Sequence, residues 1–529
     1  MRKDRITFIL LCVSVLVVLF SSCTDDFNSL NVDPNNPTDV PATTLLSYAM
    51  HEGIDQELGE GWIHHTYLSC WSQLYAKIQY IDEDRYLFRG ININTFWWTD
   101  YARHLKDLAI VIEKAKEKEY ADMEGVARIM KAYFFQRTTD CWGDVPYTEA
   151  LKGDEGELSP VYDSQESIYM DLIAEIKAAV AMLNGADNDQ LSKCDLIYGG
   201  DLDAWRKFGN SILLRMYMRI SGVEPDSVAQ AGLEEVVKSG IYIQSNADNA
   251  TLAIDGTKPY RNGLMETLDT RTDQGCSRTM ITLLDSLNDP RLPIYAQDID
   301  DDYGKGEYDG PDTIFVGQPN GAAGAGPVQS TISLLGVPIA YDADRPYQIL
   351  SYSDVCFILA EAALKGWNAG GSAQSWYEAG IEASCEQWSE LALASPLAGY
   401  AKDAAEITSD EIAAYLQEPG VAYDAAIGQE QICTQRWLAL YPNGVQAFSV
   451  FRRTGYPKEI ESYELEATTY PDLGVPLRLP YPTDEEARNS ANMAAAKAGI
   501  HDDMYGKPVW WDTRTTKADG TPRLGLDVD

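Results

Sequence analysis

The chain has 529 residues, with 45% hydrophobic and 23% charged content, the composition of a folded globular protein rather than a disordered one. Lys plus Arg number 42 against 81 Asp plus Glu, a formal charge of -39. That balance repels phosphate backbones, which argues against a nucleic-acid partner and favours neutral or cationic ligands.

The chain opens with the basic stretch MRKDR, followed by the apolar run Ile6 to Phe20. As a helix, 15 residues reach about 22 Å, short of the roughly 30 Å of a hydrocarbon core. The run therefore reads as the apolar region of a signal peptide, residues 1–22, and not as a membrane span. It ends in Phe20-Ser21-Ser22-Cys23. Small residues directly before a cysteine resemble the lipobox of bacterial lipoproteins, with Phe20 where leucine is usual. That resemblance implies acylation of Cys23 and its release as the first mature residue. More than one acyl chain gives a stable anchor, since each buried CH₂ contributes about 0.8 kcal/mol. Asp25 and Asp26 resemble the acidic signal that sends such lipoproteins to the cell surface.

Residues 23–45 are polar and turn-rich and read as a tether. Helical patterning covers most of residues 46–240. Within it, residues 71–98 gather Tyr75, Tyr80, Tyr86 and Trp97 among Gln79, Asp82 and Asn92. Aromatic faces beside amides and carboxylates suit the C–H faces and hydroxyls of a sugar, which makes Tyr80, Tyr86 and Trp97 candidate ligand contacts, with Tyr308 further on; core packing uses the same residue types. Apolar residues Val126, Ile129, Met130, Tyr133 and Phe134 recur at helical spacing and predict an amphipathic helix over 124–138; 164–183 and 204–221 read as further helices.

Residues 241–345 turn rich in Gly, Asp, Asn and Pro and predict irregular loops with a few short strands. Asp298, Asp300, Asp302 and Asp309 fall at the spacing of a calcium loop, but Tyr303 stands where the loop needs glycine, so a solvated acidic loop is the better reading and no metal site is assigned. Helices resume at Ser351, with Asp354 three residues on and Gly366 as a stop. A second follows with Tyr377, Ile381, Ser384 and Trp388 on one face; Thr408 to Glu411 is a capping box; and Pro442-Asn443-Gly444 separates two more.

The seven cysteines after Cys23 include no CxxC pair, which predicts buried free thiols. The five histidines form no HExxH, and no GxSxG occurs, so no catalytic residue or cofactor is assigned.

TDCWGDVPYTEAL (139–151), DPRLPIY (289–295), DVCFILAEAAL (354–364), ICTQRWLALYPNGVQAFSVFRRTGYP (432–457), RLPYPTDE (478–485) and WWD (510–512) stand in order. Together with CTDDFNSLNVDPNNPT they closely resemble the SusD/RagB family over essentially the whole mature chain. The resemblance implies a mainly α fold: one tetratricopeptide-like scaffold of helical hairpins over 46–529, with long irregular loops and a few short strands. It implies a non-enzymatic surface lipoprotein of the outer membrane that binds a nutrient, most often an oligosaccharide, and passes it to a SusC-like TonB-dependent transporter. A surface glycoside hydrolase and a structural lid without small ligand are the alternatives. Trp142 and Pro146 are expected to lock a helix to a loop, and Arg452 and Arg453 to form structural ion pairs.

Overall fold

The computed structural model describes residues 39–59, 67–185, 189–224, 226–257, 260–268, 272–299, 314–322, 331–462, 474–498, 500, 504–517 and 520–523. Cys23, Asp300, Asp302, Asp309 and Tyr308 lie outside them.

Helices carry the fold, as the sequence pattern and the family resemblance predict. Helix α1 (Ala42–Leu58) packs against α3 (His104–Glu117), α3 against α4 (Ala121–Trp142), α4 against α5 (Gln165–Met182), α5 against α6 (Leu202–Arg219) and α6 against α7 (Ala229–Ser239). Short links reverse the chain between neighbours, the geometry of helical hairpins. Helix α2 (Gly90–Ala102) lies beside α3 at the start of this row. After the middle segment, α9 (Tyr352–Leu364) pairs with α10 (Ala373–Ala394) and with α12 (Gly428–Ala439), and α12 with α13 (Gly444–Thr454). Contacts of α6 with α9 and of α4 with α13 join the two rows around one core that runs from Leu46 to Trp511.

Helix ends follow the expected chemistry. Ser351 Oγ accepts the Asp354 amide at 3.2 Å, Gly366 takes φ +82° just past α9, and Thr408 with Glu411 forms a reciprocal capping box on α11 (Ser409–Tyr415). The residue Asp354 does not return the bond as a capping box would; its carboxylate pairs with Arg436 at 2.7 Å.

Helix α4 departs from the amphipathic expectation. It is buried on nearly every face, because α3, α5 and α13 cover it from different sides. Its polar residues are therefore interior and need partners. Arg137 donates to Asp100 Oδ1 at 2.6 Å, and Asp140 receives Arg219 at 2.8 Å and Trp511 Nε1 at 2.7 Å.

Among the described residues the middle segment is pinned rather than free. Strand β5 (Gln274–Cys276) pairs antiparallel with β1 (Tyr75–Lys77), and β4 (Ala250–Leu252) with β6 (Tyr347–Leu350); β2 (Val145–Pro146) pairs with β3 (Tyr162–Asp163). Helix α8 (Arg278–Ser286) follows β5.

Several residues of the motifs that carry the resemblance hold the fold together. Trp142 Nε1 donates to the Pro480 carbonyl at 2.9 Å, and Arg291 binds Asp289 through Nε at 2.9 Å. Arg453 forms its expected ion pair with Glu361, Nη1 to Oε1 at 2.6 Å. Arg452 does not: it donates to the carbonyls of Leu477 (3.0 Å) and Asp140 (2.7 Å), between the rings of Phe448 and Trp511. The nearby Asp140 carboxylate is already engaged by Arg219 and Trp511, so main-chain oxygens and ring faces take the guanidinium. All seven described cysteines are free and buried. No helix among the described residues is long and apolar enough to cross a membrane.

Close helix approach rests on small residues. A Cβ on Gly53 of α1 would collide with the Phe134 ring of α4. Gly53→Val is expected to lower unfolding free energy by about 3 kcal/mol through overpacking, read as a drop in the urea midpoint with an unchanged slope.

Candidate functional site

Helix α2 divides its aromatics by phase. Ile93, Phe96, Trp97 and Asp100 face the core, whereas Ile91, Thr95, Trp98 and Ala102 form the opposite, exposed face at helical spacing. Ile91 is 70% and Trp98 50% exposed, values unusual for such large apolar groups. Seven residues of helix separate them by about 10 Å, room for a short oligosaccharide.

The loop 79–89 brackets the N-terminal end of this face. Tyr80 is 52% exposed and takes φ +52°, with the Arg89 guanidinium 5.9 Å from its ring centre. Arg89 Nη2 binds Asp82 Oδ2 at 3.0 Å, and exposed Phe88 precedes it. The loop is held from beneath. Trp71 Nε1 donates to the Glu83 carbonyl at 3.1 Å, the Arg89 amide donates to Tyr67 Oη at 2.8 Å, and buried Asp84 accepts the Lys77 amide and the Asn320 side-chain amide. Burial pushes the Asp84 carboxyl up to about 6, against those donated hydrogen bonds.

The C-terminal end is bracketed by α1 and α3. Arg103 lies 5.1 Å from the Trp98 ring centre and is ion-paired with Glu52, which also accepts Gln56 Nε2 at 3.2 Å. Exposed Tyr48 sits beside the same pair: burial raises its phenol, Glu52 pushes the same way and Arg103 opposes. Half-buried Asp107 is pushed up to about 6, first by burial and then by Glu52. One residue before Glu52, His51 meets Tyr260 edge-on at 5.2 Å.

The surface therefore offers ring faces that a cation holds in place, next to carboxylates and hydroxyls on rigid elements. Ring faces take C–H groups, and the polar rim takes hydroxyls. The ligand class that matches both is neutral, polyhydroxylated and flat-faced.

Of the four sequence candidates, Tyr80 stands on this surface. Tyr86 is 3% exposed with its ring edge-on to Trp71 at 6.0 Å, and Trp97 is 7% exposed among Tyr101, Trp142, Tyr162 and Tyr481. Both are core aromatics in the structure, because the helical and loop phases that expose Trp98 and Tyr80 turn their rings inward. Tyr75 is likewise fully buried. Asp298 Oδ1 accepts the Ile314 amide at 3.2 Å, a bond internal to its loop. The reading of residues alone missed Trp98, Tyr48, Glu52 and Arg103. For Trp98 a signal exists in the phase of α2, since Ile93, Phe96, Trp97 and Asp100 complete a stripe that leaves it out; Tyr48, Glu52 and Arg103 come together only through packing of α1 on α3.

The sequence profile of the SusD-like family, described as "Starch-binding associating with outer membrane", matches residues 34–482. Among solved structures, a "chitin-binding protein" is 28% identical, covering 90% of this chain and 100% of its own, with a TM-score of 0.75. A SusD-like protein from Bacteroides thetaiotaomicron superposes at TM-score 0.73 with 23% identity, over 91% of this chain and 100% of its own. A chitin-binding SusD homolog from Flavobacterium johnsoniae gives 0.73 at 22% identity, over 89% of this chain and 99% of its own. The last two show the shared fold. No curated protein sequence matches the chain significantly.

Proposed function

This chain belongs to the SusD-like family of outer-membrane-associated proteins, and from that premise we propose that it captures a glycan on the exposed face of α2 and delivers it to a SusC-like TonB-dependent transporter. The observation that carries the reading is the Trp98 ring on α2, half exposed and backed by Arg103, with Tyr80 exposed and backed by Arg89 in the loop that leads into the same helix. The 28%-identical relative bears the name chitin-binding, so a β-linked N-acetylated glycan is the first ligand to offer.

Capture without chemistry fits the local charges. Glu52 and Asp107 are neighbouring carboxylates on this surface, but Glu52 is tied to Arg103 and Gln56. Calorimetry of the mature chain against chitin, starch and hemicellulose oligosaccharides tests the reading. Binding of one class with no product after long incubation supports it; no binding, or release of shortened product, overturns it.

Anchoring belongs to the same proposal: residues 1–22 are removed, Cys23 is acylated, the segment from Cys23 to the start of α1 at Ala42, ahead of the expected boundary at residue 45, tethers the helical domain, and the protein faces outward. Cys23→Ala is expected to move the protein from the membrane to the soluble fraction in cells lacking the barrel partner. Retention of the variant with the outer membrane in those cells would sink the lipid reading.

A further inference from the structure

The core holds a cation that the nutrient-binding role does not use. Arg215, on α6, is 1% exposed, and none of Nε, Nη1 and Nη2 has a hydrogen-bond acceptor among the described residues. Its guanidinium rests on the Tyr133 ring, 5.3 Å from the centre. Other arginines of the helical core each have at least one oxygen partner. Arg137 has Asp100, Arg219 has Asp140 and Gln446, Arg436 has Asp354, Arg453 has Glu361, and Arg452 has two main-chain carbonyls. Arg215 has a ring face and no oxygen.

An arginine cannot shed its charge by deprotonation. A buried charge without a partner is costly, and a ring face offsets only part of that cost. The neighbourhood sharpens the deficit. Burial lowers the Arg219 guanidinium, and the nearby charges of Arg436 and Arg215 lower it further against Asp140 and Tyr169. On α12, Arg436 Nη2 is likewise without an acceptor among the described residues. The hydroxyl of the ring on which Arg215 rests donates to buried Glu57, and that carboxylate also faces Arg137, so the acid beside Tyr133 is shared with another cation.

We infer that Arg215 holds a small monovalent anion of chloride size inside the α4–α6 interface. The ligand class follows from the donors: a planar N–H fork 1% exposed, on a helix that packs against α4, α5 and α9, suits one compact anion rather than a bulky one. The anion neutralises the fork without occupying the ligand face of α2, so it acts on stability and not on glycan capture.

The test uses the mature chain and bromide as the probe. Crystals grown in bromide should show an anomalous peak within hydrogen-bond reach of Arg215, and chloride should raise the unfolding midpoint above that in gluconate at equal ionic strength. Arg215→Met should lose the chloride-dependent rise. Density for water alone, or an equal salt response in both proteins, overturns the inference. Bromide in the crystal without any chloride-specific rise marks an adventitious ion only, and overturns it as well. If Arg215→Met does not fold, the bromide and chloride measurements on the unaltered chain still decide.

Discussion

Trp98→Ala is expected to weaken glycan binding roughly 30-fold, about 2 kcal/mol, while leaving the unfolding midpoint within about 0.5 kcal/mol of the parent. Half of this side chain already meets solvent, so its removal opens no cavity. What is lost is the ring face that Arg103 holds in position. Its neighbour is expected to behave in the opposite way. Trp97 is wedged among Tyr101, Trp142, Tyr162 and Tyr481, so Trp97→Ala should cost about 3–5 kcal/mol of stability. Calorimetric titration paired with urea unfolding on both variants checks the contrast. Equal binding by Trp98→Ala and the parent would move the ligand site away from α2.

Glu361→Gln is expected to lower stability at neutral pH by about 3 kcal/mol, because it strips the ionic partner from Arg453, whose side chain is 9% exposed. Glu361 is 1% exposed, and its carboxylate receives Arg453 at 2.6 Å and Gln429 Nε2 at 3.2 Å. Burial by itself would raise the carboxyl, but Arg453, with Arg436 and Lys365 behind it, lowers it from 4.5 to about 2. A carboxyl lowered on folding contributes stability above its unfolded value, and that contribution fades as pH falls from about 4.5 toward 2. The parent should therefore lose stability across that window, and the variant, less stable throughout, should lack that part of the acid limb. Unfolding midpoints at half-unit pH steps read the difference; parallel curves for parent and variant would remove Glu361 from the acid response.

Much of the fold was legible because helical periodicity and capping chemistry are local. Ser351, Thr408 and Gly366 act at the ends they mark, since a side-chain oxygen three residues before an amide, or a glycine at positive φ, needs no distant partner. The absence of close cysteine pairs likewise foretold the buried thiols. Local pattern did not say what covers each face. Helix α4 carries an apolar stripe, yet α3, α5 and α13 enclose its polar side as well, and Arg137 and Asp140 become interior charges. Arg452 went to carbonyls rather than a carboxylate because Asp140, far off in sequence, was already taken by Arg219 and Trp511.

The candidate site divides along the same line. Residue content alone determined that the stretch 71–98 is aromatic and polar, that the chain is acidic, and that helices dominate. It did not determine which ring faces solvent, because burial depends on the phase of α2 against a core assembled from distant segments. Tertiary packing chose Trp98 over Trp97 and Tyr80 over Tyr86, and it brought Tyr48, Glu52 and Arg103 to the same surface by laying α1 against α3. Periodicity is a property of neighbours in sequence, whereas exposure is a property of everything that packs on them.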